Sequence, residues 1–172
     1  NVLASRGSVI PLFHEQINCG GPLTITSPDM TRFLLSLDDA VDLIFAAIRG
    51  ARRGETFIPR VPSANIQDLA LALIGDRDIQ LKVTGVRPGE KLHEILISDE
   101  EMNRSVERGN HYVIKPILPE ILSGDVKDDR PLSGAEYSSE DDCMSSEQIL
   151  KLLKDRKLLI EDGLRIEGEL LR

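Results

Sequence analysis

The sequence predicts an α/β fold in which helices pack on a small mixed sheet, followed by an extended arm and a last helix. Three observations predict it. Short β-prone runs alternate with amphipathic helical stretches over the first three quarters of the 172 residues. Apolar residues make up 41% and charged residues 29% of the chain, a globular balance that leaves a core of Leu, Ile, Val and Ala. Beyond about Pro116 the periodicity fades and Asp, Ser, Gly and Pro take over. The expected organisation is a main body over 1–118, an arm or linker over 119–145, and a helix with tail over 146–172.

The elements follow in order. Asn1 to Ala4 reads as the end of a buried strand, and Ser8 to Asn18 as a helix with Val9, Leu12, Phe13 and Ile17 on its inner face. Gly20-Gly21-Pro22 breaks the chain. Leu23 to Thr26 and Met30 to Leu35 are extended, separated by the turn Ser27-Pro28-Asp29. Ser36 is placed to cap a helix, with Asp39 at capping-box spacing and a stripe of Leu37, Val41, Ile44 and Ile48. Thr56 to Ile58 is a strand. Ser63 caps a further helix with Ile66, Leu69, Ala70 and Leu73 inward, and Ile79 to Val83 is a strand before the turn Arg87-Pro88-Gly89. Leu92 to Ile97 is extended or a short helix. Ser133 to Asp142 carries four acids and no base, as an arm wrapping a partner surface would, and Ser146 starts the last helix through Ile149, Leu150 and Leu153.

Composition excludes several functions. A net charge of −8 repels phosphodiester backbones, and 3% aromatics with no Trp leave no base-stacking platform, so nucleic acid is not an expected partner. No run approaches the roughly 20 apolar residues of a membrane helix, and the start lacks the pattern of a signal peptide. Cys19 and Cys143 stand far apart and read as free thiols in a reducing compartment, which points to the cytoplasm. His14, His93 and His111 have no ligand spacing with acids or cysteines, so no metal is expected. The opening at Asn1 without Met reads as a processed or truncated product.

Three clusters carry possible chemistry. Ser5-Arg6-Gly7-Ser8 lies between a strand and a helix start, where backbone amides and a cation attract an anion; it reads equally as an ordinary loop with a Ser cap. Arg32 sits in an apolar run and needs a partner, either a phosphate or one of Asp29, Asp38 and Asp39. Arg87-Pro88-Gly89-Glu90 presents a cation and an acid from one turn, suited to a diphosphate and to ribose hydroxyls, or simply a charged surface turn. Tyr112 and Tyr137 lack a Lys four residues on, and no G-x-G-x-x-G or G-x-x-G-x-x-G occurs.

Taken in order, Asn1-Val2, Ala4-Ser5-Arg6-Gly7-Ser8-Val9-Ile10-Pro11, Met30-Thr31-Arg32-Phe33 and Arg87-Pro88-Gly89-Glu90-Lys91-Leu92-His93-Glu94 resemble the C-terminal half of the nucleotide-sugar 4,6-dehydratases and epimerases. These belong to the extended short-chain dehydrogenase/reductase superfamily, with its Rossmann-type core. The branch it resembles most is typified by UDP-N-acetylglucosamine 4,6-dehydratase of bacterial surface polysaccharide biosynthesis, and Glu136-Tyr137-Ser138-Ser139 is similar to that branch too.

The resemblance implies a role for each matched residue. Asn1 would contact the substrate diphosphate, and Ser8 and Val9 would mark the helix start facing the UDP. Thr24 and Thr26 would hold uracil through backbone groups. Arg32 and Arg87 would clamp the diphosphate, Glu90 would bond the ribose, and Arg6 would add a branch-specific contact. In that reading residues 1–118 bind a UDP-N-acetylhexosamine. The catalytic Tyr-x-x-x-Lys and the glycine-rich loop for NADP or NAD would lie upstream in a missing N-terminal nucleotide-binding domain. This part alone would then hold no catalytic residue, bind no nicotinamide cofactor and be inactive. The parent would be a lyase that oxidises C4, eliminates water across C5 and C6, and returns the hydride at C6. The alternatives are a UDP-N-acetylglucosamine 4-epimerase, or a non-catalytic UDP-sugar-binding or structural module. The resemblance also implies a homo-oligomer, with 119–145 as the expected contributor.

Overall fold

A computed structural model describes residues 2–5, 7–121 and 129–163. Its elements run in chain order as α1 (Val9–Asn18), β1 (Leu23–Ile25), β2 (Thr31–Phe33), α2 (Leu37–Gly50), β3 (Thr56–Pro59), β4 (Ser63–Asn65), α3 (Ile66–Ile74) and β5 (Leu81–Val83). There follow β6 (Ile95–Ile97), α4 (Asp99–Met102), β7 (Ser105–Arg108), β8 (His111–Ile114), β9 (Arg130–Pro131), β10 (Tyr137–Ser138) and α5 (Ser146–Asp155). The fold is mixed α/β, with small sheets and packed helices. The strands divide among four sheets: β1 with β5 in parallel, β2 with β4 and β6 with β10 antiparallel, and an antiparallel sheet ordered β3-β8-β7-β9.

Two clusters hold these layers together. The larger joins α1, α3, α5 and β1, where Phe13, Leu23, Leu69, Leu73, Ile149 and Leu153 are all but inaccessible. Removing such side chains from water is the main favourable term in folding, about 1.5–3 kcal/mol each. The smaller cluster gathers Ile58, Ile97, Met102 and Ile114 beneath Tyr112 and Tyr137. Burial pushes the Tyr137 hydroxyl pKa above its ordinary value. That hydroxyl accepts from Val61 N at 3.4 Å and donates to Val61 O at 3.3 Å, which makes it a strut.

Local sequence explains the helix starts, with one shift. Ser36 caps α2 by accepting from Asp39 N at 3.1 Å, as its spacing predicts. Asn65, not Ser63, caps α3, because its Oδ1 accepts from Gln67 N at 2.7 Å and Asp68 N at 3.3 Å, while Ser63 belongs to β4. The inward residues of α3 are those its periodicity predicts. Ser145 caps α5 in a reciprocal box with Gln148.

Other expectations need correction. Val2 makes a single parallel bridge to Leu35 rather than ending a buried strand, and Ala4 then turns with φ 55°. On α1 the buried face is Ile10, Phe13, His14 and Ile17, whereas Leu12 is exposed. His14 is admitted because its Nε2 meets Leu158 O at 2.8 Å. α2 buries no residue, and its whole predicted stripe of Leu37, Val41, Ile44 and Ile48 faces outward. Residues 105–114, to which the sequence reading assigns no element, form the hairpin of β7 and β8, and the two-residue turn Gly109-Asn110 is its local signal.

Residues 129–145, expected within a linker or arm, pack on the chain's own body. β9 pairs with β7 and β10 with β6. Ser139 is fully buried, where its N donates to Glu94 O at 2.8 Å and its Oγ accepts from Glu94 N at 2.9 Å. Thr31 Oγ1 lies 2.7 Å from Ser139 Oγ and 2.9 Å from His93 Nδ1, and His93 Nε2 faces Glu140 at 3.3 Å. These bonds fasten residues 91–94 to the arm, and through them one wall of the cleft described below.

Candidate nucleotide-sugar cleft

A cleft of about 380 Å³ opens between the start of α1, the free edge of β1, β2 and the turn at Arg87–Glu90. This lies within the size range of small-molecule sites. Its floor is apolar, with Ile10, Phe13, Ile25, Met30, Leu34 and Ile66 buried beneath it. Its polar lining is Ser8, Thr24, Thr26, Arg32, Thr84, Arg87 and Glu90. Of the nine residues singled out from sequence, Ser8, Val9, Thr24, Thr26, Arg32, Arg87 and Glu90 therefore line one hollow. Asn1 and Arg6 lie outside the described residues.

Two of these groups are left without partners. Ser8 Oγ is buried and makes no hydrogen bond to any described residue, even though Ser8 holds the N-cap position of α1. A buried orphan hydroxyl is costly and marks a place for a missing partner. The Val9 and Ile10 amides just beyond it are first-turn donors with no helical acceptor, and the positive end of the helix dipole favours an anion there. Gly7 precedes them at φ 78°; a Cβ there would meet nothing within 4 Å, so backbone conformation rather than crowding demands glycine. Across the cleft, the Arg87 guanidinium has no hydrogen-bond or ion-pair partner among the described residues.

The other polar groups are already engaged. Glu90 is oriented from both sides, by Thr26 Oγ1 donating to Oε1 at 3.2 Å and Arg87 N donating to Oε2 at 3.3 Å. Arg32 donates through Nη1 to Thr31 O at 2.7 Å and Leu92 O at 2.9 Å, and through Nη2 to Lys91 O at 2.9 Å. Its Nε stands 3.6 Å from Glu94 Oε1. None of Asp29, Asp38 and Asp39 partners it; Asp38 and Asp39 pair with Arg156 instead. Two of the five N–H groups of Arg32 thus hold the 91–92 carbonyls and a third its neighbour Thr31, so Arg32 shapes the wall it belongs to.

Gln16 was absent from the sequence candidates. It reaches from α1 to β1, accepting from Thr24 N at 2.9 Å and donating to Thr24 Oγ1 at 2.7 Å. No local pattern signals this contact, because the partners meet only after the chain reverses at Gly20–Pro22.

The family described as Polysaccharide biosynthesis protein matches residues 1–116, two thirds of the chain. The chain belongs to this family. Among the chain's relatives, a UDP-glucose 4-epimerase of Rickettsia typhi is 42% identical over 158 residues, covering 90% of this chain and 41% of that protein. A UDP-glucose 4-epimerase of Rickettsia bellii is 47% identical over 116 residues, covering 66% of this chain and 34% of that protein. An uncharacterized membrane protein of Methanocaldococcus jannaschii is 46% identical over 125 residues, covering 67% and 38%. In this chain, among the described residues, no helix is long and apolar enough to cross a membrane. The solved structure of Pen from Bacillus thuringiensis superposes with a TM-score of 0.82 at 31% identity, covering 92% of this chain and 49% of Pen. The chain thus spans about half of Pen and less than half of the curated relatives it matches.

Proposed function

We propose that this chain is the substrate-binding part of a nucleotide-sugar enzyme of polysaccharide biosynthesis, a UDP-N-acetylglucosamine 4,6-dehydratase. The observation that carries the reading is the pairing of unused groups across one cleft: the Ser8 hydroxyl and first-turn amides of α1 on one side, the Arg87 guanidinium on the other. A diphosphate satisfies both at once, since its oxygens accept charge-assisted bonds from a guanidinium and from helix amides. Glu90, held by Thr26 and the Arg87 amide, offers remaining lone pairs to ribose hydroxyls. Arg32 keeps the 91–94 wall in register, and Thr24 and Thr26 meet the base. Asn1 and Arg6 join the diphosphate contacts in this reading.

The remaining chemistry belongs to a longer protein. In this reading NADP or NAD is not held by this chain, whose sequence carries no G-x-G-x-x-G or G-x-x-G-x-x-G. The reading assigns that cofactor, which would take hydride from C4 and return it, to an N-terminal nucleotide-binding domain. The chain alone is then inactive. The outward apolar stripe of α2 supports such a docked domain, because Leu37, Ile44, Phe45 and Ile48 are each about half exposed or more. A cytoplasmic, homo-oligomeric parent completes the proposal.

A second reading, a UDP-sugar 4-epimerase, is favoured by the printed names of the Rickettsia relatives. Both use the same cleft and differ in where the hydride returns. Incubating the full-length parent with UDP-N-acetylglucosamine separates them: a product that has lost water supports the dehydratase, an isomer of unchanged mass supports the epimerase, and no turnover with no UDP binding overturns both.

A further inference from the structure

The proposal here rests on the nucleotide reading of the cleft and concerns a residue outside its lining. Among the described residues, β1 is paired along one edge only. Leu23 N donates to Gln80 O and Thr84 N donates to Ile25 O, each at 2.9 Å, so Leu23 and Ile25 carry the parallel ladder with β5. Successive residues of a strand turn their peptide groups to opposite edges, so those of Thr24 face the other edge, on the side of α1. There Gln16 Oε1 accepts from Thr24 N at 2.9 Å, and Gln16 Nε2 donates to Thr24 Oγ1 at 2.7 Å.

The carboxamide orientation follows from chemistry. An N–H only donates, so the oxygen must face Thr24 N, and the amino group then meets the hydroxyl. This removes the Thr24 N–H from the open edge. What remains is the Thr24 carbonyl, an acceptor, and the Thr26 N–H, a donor, neither of them bonded to a described residue. An acceptor beside a donor complements a ring N–H beside a carbonyl, the imide face of uracil. In that same register, with the ring nitrogen against the Thr24 carbonyl, it opposes cytosine, whose ring nitrogen accepts and whose neighbouring amino group donates.

We propose that Gln16 is a positioning residue for base selection: by capping the Thr24 amide it leaves the β1 edge with one acceptor and one donor, which favours uracil over cytosine nucleotides. Without the cap, the Thr24 N–H rejoins the edge as a second donor, to which the cytosine ring nitrogen can pair.

The test is titration of the 172-residue chain with UDP, CDP and inorganic pyrophosphate, read as the ratio of UDP to CDP affinity. Wild type favours UDP. Gln16→Met loses about tenfold of that preference, the scale of one hydrogen bond, with pyrophosphate affinity unchanged. Gln16→Glu, which still turns an acceptor to Thr24 N, keeps the preference even as its charge weakens both nucleotides together. If Gln16→Met does not fold, Gln16→Asn, too short to reach Thr24, is read the same way. An unchanged ratio in the folded variant, or pyrophosphate affinity falling in step with UDP, overturns the role of Gln16 while the nucleotide reading survives. Wild type that binds neither nucleotide overturns both.

Discussion

Replacing Arg108 by Met should cost the fold about 3–5 kcal/mol, the scale for breaking a buried ion pair by removing one partner. Arg108 stands on β7 between two carboxylates. It meets Glu55 through Nη1 and Nη2, both at 2.8 Å, and Asp129 through Nε at 2.7 Å and Nη2 at 3.1 Å. The carboxylate side chains are only 5% and 4% exposed. Asp129 keeps Lys115 at 3.3 Å when Arg108 is lost, whereas Glu55, among the described residues, keeps the Arg52 amide at 2.8 Å. Glu55 therefore carries most of the cost as an uncompensated buried charge.

The same geometry sets a pH signature. Hydrogen bonds from Arg108 hold both carboxyl pKa values below their ordinary 4.5 and 3.8, against the opposing effect of burial. A group with a lowered folded pKa contributes stability that is present above its unfolded value and lost as pH falls through the folded one. In Arg108→Met the burial of Glu55 remains with only the weaker Arg52 backbone bond to oppose it, so the Glu55 pKa moves up, while Asp129 keeps the Lys115 contact that holds its own pKa down. Urea unfolding of wild type and variant at pH 7 and at steps down to pH 3 should show the gap between them closing as acid neutralises Glu55 and Asp129. A gap below about 1 kcal/mol at pH 7, the worth of an exposed pair, refutes the reasoning. So does a gap that does not change with pH.

The two cleft arginines should separate in the same assays. Arg87→Ala should weaken UDP binding about 10- to 100-fold, the loss of charge-assisted bonds, with urea unfolding unchanged, because its guanidinium has no protein partner among the described residues. Arg32→Ala should lower the stability of the fold as well, by about 1–3 kcal/mol, because it frees the Lys91 carbonyl and leaves Leu92 O with the Thr31 amide alone among the described residues; equal stability loss in both variants would count against this division. On α2, Ile48→Glu should leave unfolding within about 0.5 kcal/mol while reducing self-association of the chain in sedimentation, since Ile48 is 73% exposed on the uncovered stripe. Association unchanged by that charge would place the sticky surface elsewhere.

Local chemistry alone determined much of this protein. Periodicity located α1, α2, α3 and α5 and the inward face of α3, because one face of a helix repeats every 3.6 residues. Residue type and order marked Ser8, Arg32, Arg87 and Glu90, since helix starts, cations in apolar runs and Pro-Gly turns each carry a local physical cost or use. Tertiary structure decided the rest. The apolar stripe of α2 is as regular as that of α3, yet it faces outward, because periodicity shows that a face needs covering and not what covers it. Arg32 and Arg87 look alike in sequence; the placing of the 91–94 segment, fastened by Ser139 and Thr31, left one engaged and the other's guanidinium without a partner among the described residues. The Gln16–Thr24 clasp and the Arg108 network join residues distant along the chain, and such contacts exist only once the backbone has brought them within hydrogen-bond reach.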